Sequence, residues 1–202
     1  MSVVKRLKIA GLLSALTLAA GLGLSGAASS AQAAAPTPIP GVYYEVFVPY
    51  LANAAYQLCV DVPSSSMSSD VKVQIYHCHS GANQLWQFFK MPGTEGWYGT
   101  SGLYWVVNKN SGMCLGLSNS EFYVKQELCS PGDNSQLWGI SDSNIDFNGD
   151  GLFQLFNGEW SANCLGTNNF SGGNSTLVVI TTNCDASSTP DVINESQTWK
   201  LG

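Results

Sequence analysis

The sequence predicts an all-β protein in which one unit of about four short strands occurs three times and closes on itself. Three observations carry this expectation. The skeleton Cys, strand, variable loop, strand, Cys, turn, Gln-x-Trp recurs: Cys59, Cys78 and Gln84-Leu85-Trp86; Cys114, Cys129 and Gln136-Leu137-Trp138; Cys164, Cys184 and Gln197-Thr198-Trp199. Apolar residues alternate along the segments between the cysteines, as in Val71-x-Val73-x-Ile75, which is the period of a half-buried strand. The chain is rich in Gly, Ser, Asn and aromatic residues and poor in Lys, Glu and Arg, a mixture that suits short strands and many turns and disfavours long helices. Three such units closing on one another argue a threefold, barrel-like assembly rather than an open sheet.

The N-terminus is set apart from this pattern. Lys5, Arg6 and Lys8 precede an apolar run from Ile9 to Leu24, followed by small residues and the Ala31-Gln32-Ala33 site. A basic head, an apolar middle and an A-x-A exit read as a secretory signal peptide, residues 1–33, so the mature protein is expected to be secreted and extracellular. Ser14, Thr17 and several glycines interrupt the apolar run, which argues against a retained anchor. No later segment approaches the ~20 continuous apolar residues of a membrane span. Residues 34–41 form a Pro-rich lead-in, expected to be extended and mobile. Residues 42–202 are expected to form one domain, which the last repeat ends.

The leader holds three of the eight basic residues, leaving five Lys and no Arg against fourteen acidic residues, a net charge of −9 for the mature chain. With no basic stripe to neutralise phosphates, nucleic acid and anionic membrane surfaces are poor partners.

Between the units lie turn-rich connectors, residues 91–96 and 141–151, each between two strand signals, which read as hairpin or inter-repeat loops. Export plus six cysteines implies a disulfide framework, and counting alone leaves fifteen pairings. If the units are equivalent, each closes its own bridge: Cys59–Cys78, Cys114–Cys129 and Cys164–Cys184. Each short loop would restrict the unfolded chain by roughly 3 kcal/mol in the loop-entropy account. The three tryptophans offer large apolar faces to a shared core, with an indole N–H that needs a partner. The glutamine two positions earlier is placed on the same side of a strand, where it can bond a backbone group.

Three Gln-x-Trp triplets, each after a cysteine pair and a Cys-apolar strand, make the chain resemble a ricin B-type lectin, a β-trefoil, from about Val42 to Gly202. The resemblance implies a β-trefoil of three four-stranded repeats, one disulfide in each, and a sugar ligand.

A sugar presents hydroxyls that donate and accept, and one relatively apolar C–H face. Its site needs an aromatic platform, a carboxylate that accepts from neighbouring hydroxyls, and amides. The first repeat supplies Asp61, Gln74, Tyr76, Asn83 and Gln84, with Gln74 and Tyr76 on one strand face opposite Val73 and Ile75. The resemblance implies that Asp61 is the principal acceptor, Tyr76 the stacking platform and Asn83 a further hydroxyl contact. Gln74 and Gln84 are the supports, and residues 63–70 shape the rim. The second repeat has Gly116, Lys125, Glu127 and Ser135 at the corresponding places, and the third has Gly166, Ile180, Thr182 and Ser196. Both are expected to keep the scaffold and lack the site, so affinity for a single sugar is expected to be low without multivalent display.

Two further constellations stand out in the chain. Asp146-Phe-Asn148-Gly-Asp150-Gly151 opens like a calcium loop, but its twelfth position is Asn157 rather than a bidentate Glu, and a hairpin turn explains the same residues. His77 and His79 flank Cys78 and are too few for zinc if that cysteine is in a disulfide, so they read as surface or rim residues. No metal or cofactor is expected. With two histidines and paired cysteines, no nucleophile-and-base arrangement stands out, and no acid–base motif is present; the chain is expected not to be an enzyme. The expected function is a secreted lectin for galactose or N-acetylgalactosamine-type sugars, bound through one site in the first repeat, with a xylan- or arabinan-type ligand left open. The alternatives are a recognition subunit for a separate exported toxin or hydrolase and, more weakly, a trefoil hydrolase inhibitor.

Overall fold

The computed structural model describes residues 35–38, 42–48, 57–96, 102–118, 123–141, 152–158, 163–167, 176–182 and 199–202. The leader, the 142–151 connector with its calcium-like sequence, Cys184, Ser196 and Gln197 lie outside the described residues.

In chain order the strands are β1 (Thr37–Pro38), β2 (Tyr44–Val48), β3 (Leu58–Asp61), β4 (Val71–Lys72), β5 (Gln74–His77), β6 (Leu85–Lys90), β7 (Leu103–Asn108), β8 (Cys114–Leu117), β9 (Val124–Glu127), β10 (Trp138–Ser141), β11 (Leu152–Asn157), β12 (Asn163–Thr167), β13 (Thr176–Thr182) and β14 (Trp199–Leu201). The outer strands of the three units form a closed ring of antiparallel pairs: β2–β6, β6–β7, β7–β10, β10–β11, β11–β14 and β14–β2. Closure removes most of the edge that an open sheet would expose. The inner strands of each unit pair as hairpins, β3–β5, β8–β9 and β12–β13. Pairings β4–β9 and β5–β13 join one unit's hairpin to the next. This is the expected all-β, threefold arrangement of four-stranded units.

The threefold relation extends to single hydrogen bonds. Trp86, Trp138 and Trp199 are fully buried, and their indole N–H groups donate to the carbonyls of Val60 (3.0 Å), Leu115 (2.8 Å) and Leu165 (3.0 Å), each the residue after the unit's first cysteine. An amphipathic ring in a core needs such a partner, and all three find the same one. Around them pack Val46, Leu58, Val60, Ile75, Phe88, Val106, Leu115, Leu155, Leu165 and Leu201. Gln84 lies in a 3-10 turn, Ala82–Gln84, that leads into the tryptophan's strand. From there its amide bonds the backbone on both sides of Cys78, donating to His77 O and accepting from His79 N. Gln136 does the same around Cys129, with Leu128 O and Ser130 N. A turn residue can reach back across the cysteine, whereas a side chain on the strand would stand perpendicular to the sheet.

Disulfides Cys59–Cys78 and Cys114–Cys129 are formed as expected. Cys164 is also disulfide-bonded, and its expected partner Cys184 is outside the described residues. The lead-in is extended, but at Thr37–Pro38 it pairs with Lys90 and Phe89 of β6. On that side β2 covers only Leu85 and Trp86, so the outer half of β6 retains an edge that takes a third partner, and proline is tolerated at such an edge. In the third unit, Cys164 pairs with Thr181 and Gly166 with Val179, not with the Thr182 and Ile180 that spacing from Cys184 selects. The ladder is offset there by one residue relative to the first two units.

Candidate functional site

Asp61 ends β3 directly opposite Gln74, the first residue of β5. Strand alternation buries Val73 and Ile75 and turns Gln74 and Tyr76 outward; the Tyr76 ring is 38% exposed. The chain then turns through Cys78 and the 3-10 turn, which brings Asn83 and Gln84 under the same strand end.

Three of the sequence-predicted residues, Gln74, Asn83 and Gln84, converge on the Asp61 carboxylate, which is 2% exposed, while Tyr76 stands on the same strand face without a bond to it. Its Oδ1 accepts from Gln74 Nε2 at 2.9 Å; its Oδ2 accepts from Asn83 Nδ2 at 2.8 Å and Gln84 Nε2 at 3.0 Å. A buried carboxylate without partners is costly, and three amide donors meet that requirement while fixing the orientation of both oxygens. Asn83 also donates to Val62 O and accepts, through its own carbonyl, from Val62 N and Asn108 Nδ2. The turn is thereby clamped from the next repeat, and Asn157 repeats the clamp on Ser135 O in the second unit.

Sequence reasoning left one residue out of the site. His79 Nδ1 accepts from Gly81 N at 3.1 Å, which assigns the neutral ring's proton to Nε2, and Nε2 stands 3.7 Å from Asp61 Oδ2. The His79 ring meets Tyr76 edge to face, 6.3 Å between centroids. Gly81 is required here, since a Cβ would fall within 2.5 Å of His79 and 2.7 Å of Asn83 Oδ1. The signal was the His-x-His pair about Cys78, read above as surface or rim residues and not assigned to the site.

In the second repeat the same backbone holds a different arrangement. Gly116 pairs with Lys125 as Asp61 does with Gln74. The Glu127 carboxylate folds over Gly116 and occupies the space that a Cβ there would need. Lys125 Nζ lies 2.8 Å from Glu127 Oε2 and 2.6 Å from Asp70 Oδ1. Burial draws the Lys125 pKa down, but its hydrogen bonds to Asp70 and Glu127 outweigh that and leave it raised above an ordinary lysine. Ser135, in the place of Asn83, gives its hydroxyl to Asp133 Oδ1 at 2.7 Å. Among the described residues of this unit, the Asp133 carboxylate accepts from the backbone N–H of Ser135 at 3.0 Å, and no side-chain amide is seen donating to a carboxylate. In the third unit Gly166 again replaces the aspartate, and the side chains of Ile180 and Thr182 are outside the described residues. The grouping of Glu45 with Cys59 and Cys78 offers no thiolate to a metal, because both sulfurs are in the disulfide.

The arrangement of the first repeat is a fixed acceptor carboxylate beside two exposed rings. The fold has many solved counterparts. The designed threefold-symmetric protein ThreeFoil is 23% identical, with a TM-score of 0.59 over 79% of this chain and 96% of its own. The Rhizoctonia solani agglutinin is 18% identical, with a TM-score of 0.56 over 83% and 98%. A Macrolepiota procera ricin B-like lectin, solved in complex with lactose, is 17% identical, with a TM-score of 0.54 over 80% and 94%. No curated protein sequence matches the chain. The model of the ricin-type β-trefoil lectin domain matches residues 48–199, which hold four of the six ring strands in full and all three tryptophans, and the chain belongs to this family of carbohydrate-binding domains.

Proposed function

We propose that this protein is an exported, non-catalytic lectin that binds galactose or N-acetylgalactosamine-type sugars at one site in its first repeat. The observation that carries the reading is the Asp61 carboxylate held by Gln74, Asn83 and Gln84 beside the exposed Tyr76 ring. A carboxylate oriented by amides accepts from two adjacent hydroxyls, and an aromatic face takes the C–H side of the ring. In this reading His79, through Nε2–H, faces the same space. The lactose complex of the Macrolepiota lectin supports a galactose-containing ligand for the shared fold. The basic, apolar and small-residue order of residues 1–33 supports export.

Glycan-array screening followed by calorimetry tests the reading. Wild type is expected to bind a galactose-terminated glycan, and Asp61→Ala to lose that binding. Absence of sugar binding by wild type, or undiminished binding by Asp61→Ala, refutes the assignment.

A further inference from the structure

The buried face of β9 carries a residue that the pattern of the fold does not call for. Val124 and Gln126 point inward, and Gln126 is fully buried opposite Leu115, the place that Ile75 takes opposite Val60 in the first repeat. A glutamine in an isoleucine's position pays desolvation unless each polar atom is paired. Its Oε1 accepts from Ser111 Oγ at 2.8 Å. Both amide hydrogens leave the second repeat altogether: Nε2 donates to Ser66 O at 2.9 Å and Ser68 O at 2.7 Å.

Those carbonyls belong to residues 63–70, the rim loop that runs from Asp61 to Gln74. Further bonds from the second repeat hold the same loop. Asn110 Nδ2 donates to Ser65 O, Lys125 Nζ to Asp70 Oδ1, and Asp70 N donates to the backbone carbonyl of Gln126. Three non-glycine residues of the loop are left-handed: Ser64 at φ 54°, Ser65 at φ 52° and Asp70 at φ 63°. Such backbone persists where its surroundings over-determine it, and it clusters at ligand clamps. The loop's two ends are the paired and hydrogen-bonded Asp61 and Gln74, so its shape is coupled to the site it borders.

We propose that Gln126 is a positioning residue for the first-repeat sugar site, holding the rim loop in its ligand-ready shape from the neighbouring repeat. This rests on the reading of that site as a sugar site. The second repeat thus contributes to recognition without a pocket of its own.

The test is calorimetric titration of lactose into the full mature protein and three variants, at a temperature well below every unfolding midpoint. Gln126→Ile installs the first repeat's own residue and removes the loop's anchor. Asn110→Ala removes the bond to Ser65 from the surface, without disturbing the core. Asn157→Ala is the control, since it deletes a buried bond to Ser135 O, away from the loop. Gln126→Ile is expected to weaken lactose binding roughly tenfold and Asn110→Ala roughly two- to threefold, with Asn157→Ala binding as wild type does despite its own loss of stability. Amide exchange at Ser66–Asp70 is expected to accelerate in Gln126→Ile alone among the buried-site variants. If Asn110→Ala and Gln126→Ile both bind lactose as wild type does, the positioning role is overturned; an equal loss in Asn157→Ala overturns it as well, because stability would then explain the effect. Should Gln126→Ile not fold, wild-type affinity in Asn110→Ala is by itself enough to overturn the role. Failure of wild type to bind lactose or any other galactoside is a distinct result, which removes the sugar-site reading and the positioning role with it.

Discussion

The first and second repeats place the same backbone around opposite side-chain solutions. Each has a disulfide, a buried tryptophan donating to the residue after the first cysteine, and a turn glutamine spanning the second cysteine. They differ at the strand end. In the first, Asp61 projects from β3 and three amides hold it; in the second, Gly116 leaves a space that Glu127 fills from β9, tied by Lys125. Scaffold and site are therefore separable within one unit. A site needs an acceptor that the framework itself keeps oriented, and a carboxylate neutralised by its own lysine has given that role up.

The largest effect that sharpens this comparison falls on what the repeats share. Trp86→Ala and Trp138→Ala should each lower stability by about 3–5 kcal/mol, read by thermal or denaturant unfolding. Similar losses in the two repeats are expected; a large loss in one and a trivial loss in the other would break the equivalence of their scaffolds.

A smaller effect probes where they diverge. Gly116→Asp alone should destabilise by roughly 1–3 kcal/mol, because its side chain enters space held by the Glu127 carboxylate and adds a like charge. Adding Glu127→Tyr should recover much of that loss, with a coupling of about 0.5–3 kcal/mol in the double-mutant cycle. Additive costs would show that Glu127 does not fill the vacated aspartate position.

The smallest concerns pH. The native pKa of Lys125 lies above its unfolded value, so its contribution is full below the ordinary lysine value of 10.5 and is lost as pH rises through the native one. Unfolding midpoints should fall more steeply in wild type than in Lys125→Met above about pH 10.5. The difference should stay under about 1 kcal/mol, since the Asp70 partner is 72% exposed. Parallel curves would show that the Lys125 ion pairs add nothing.

Much of this was legible in the chain because it is local or repeated. The cysteine spacing gave two of the pairings now seen, and the recurrence of Gln-x-Trp located the core rings. The alternation Val73-x-Ile75 against Gln74-x-Tyr76 separated core from surface on β5. Asp61, Gln74, Asn83 and Gln84 do meet, because a two-strand register and one turn are enough to bring them together. What was hidden depends on contacts between repeats. Nothing local to Gln126 marks it out, because the carbonyls its amide reaches lie 58 and 60 positions away. The fold of Glu127 over Gly116 requires knowing that a cross-strand neighbour lacks a side chain. The one-residue offset in the third ladder escaped because counting back from a cysteine assumes equal spacing, and strand register follows pairing instead.

The proposed function rests on one sugar site, built around Asp61. Calorimetric titration of lactose measures it most directly through stoichiometry. One lactose is expected to bind per chain in wild type and none in Asp61→Asn, with the variant still folded by circular dichroism. Two or three sugars per chain, or a stoichiometry that survives Asp61→Asn, would contradict it.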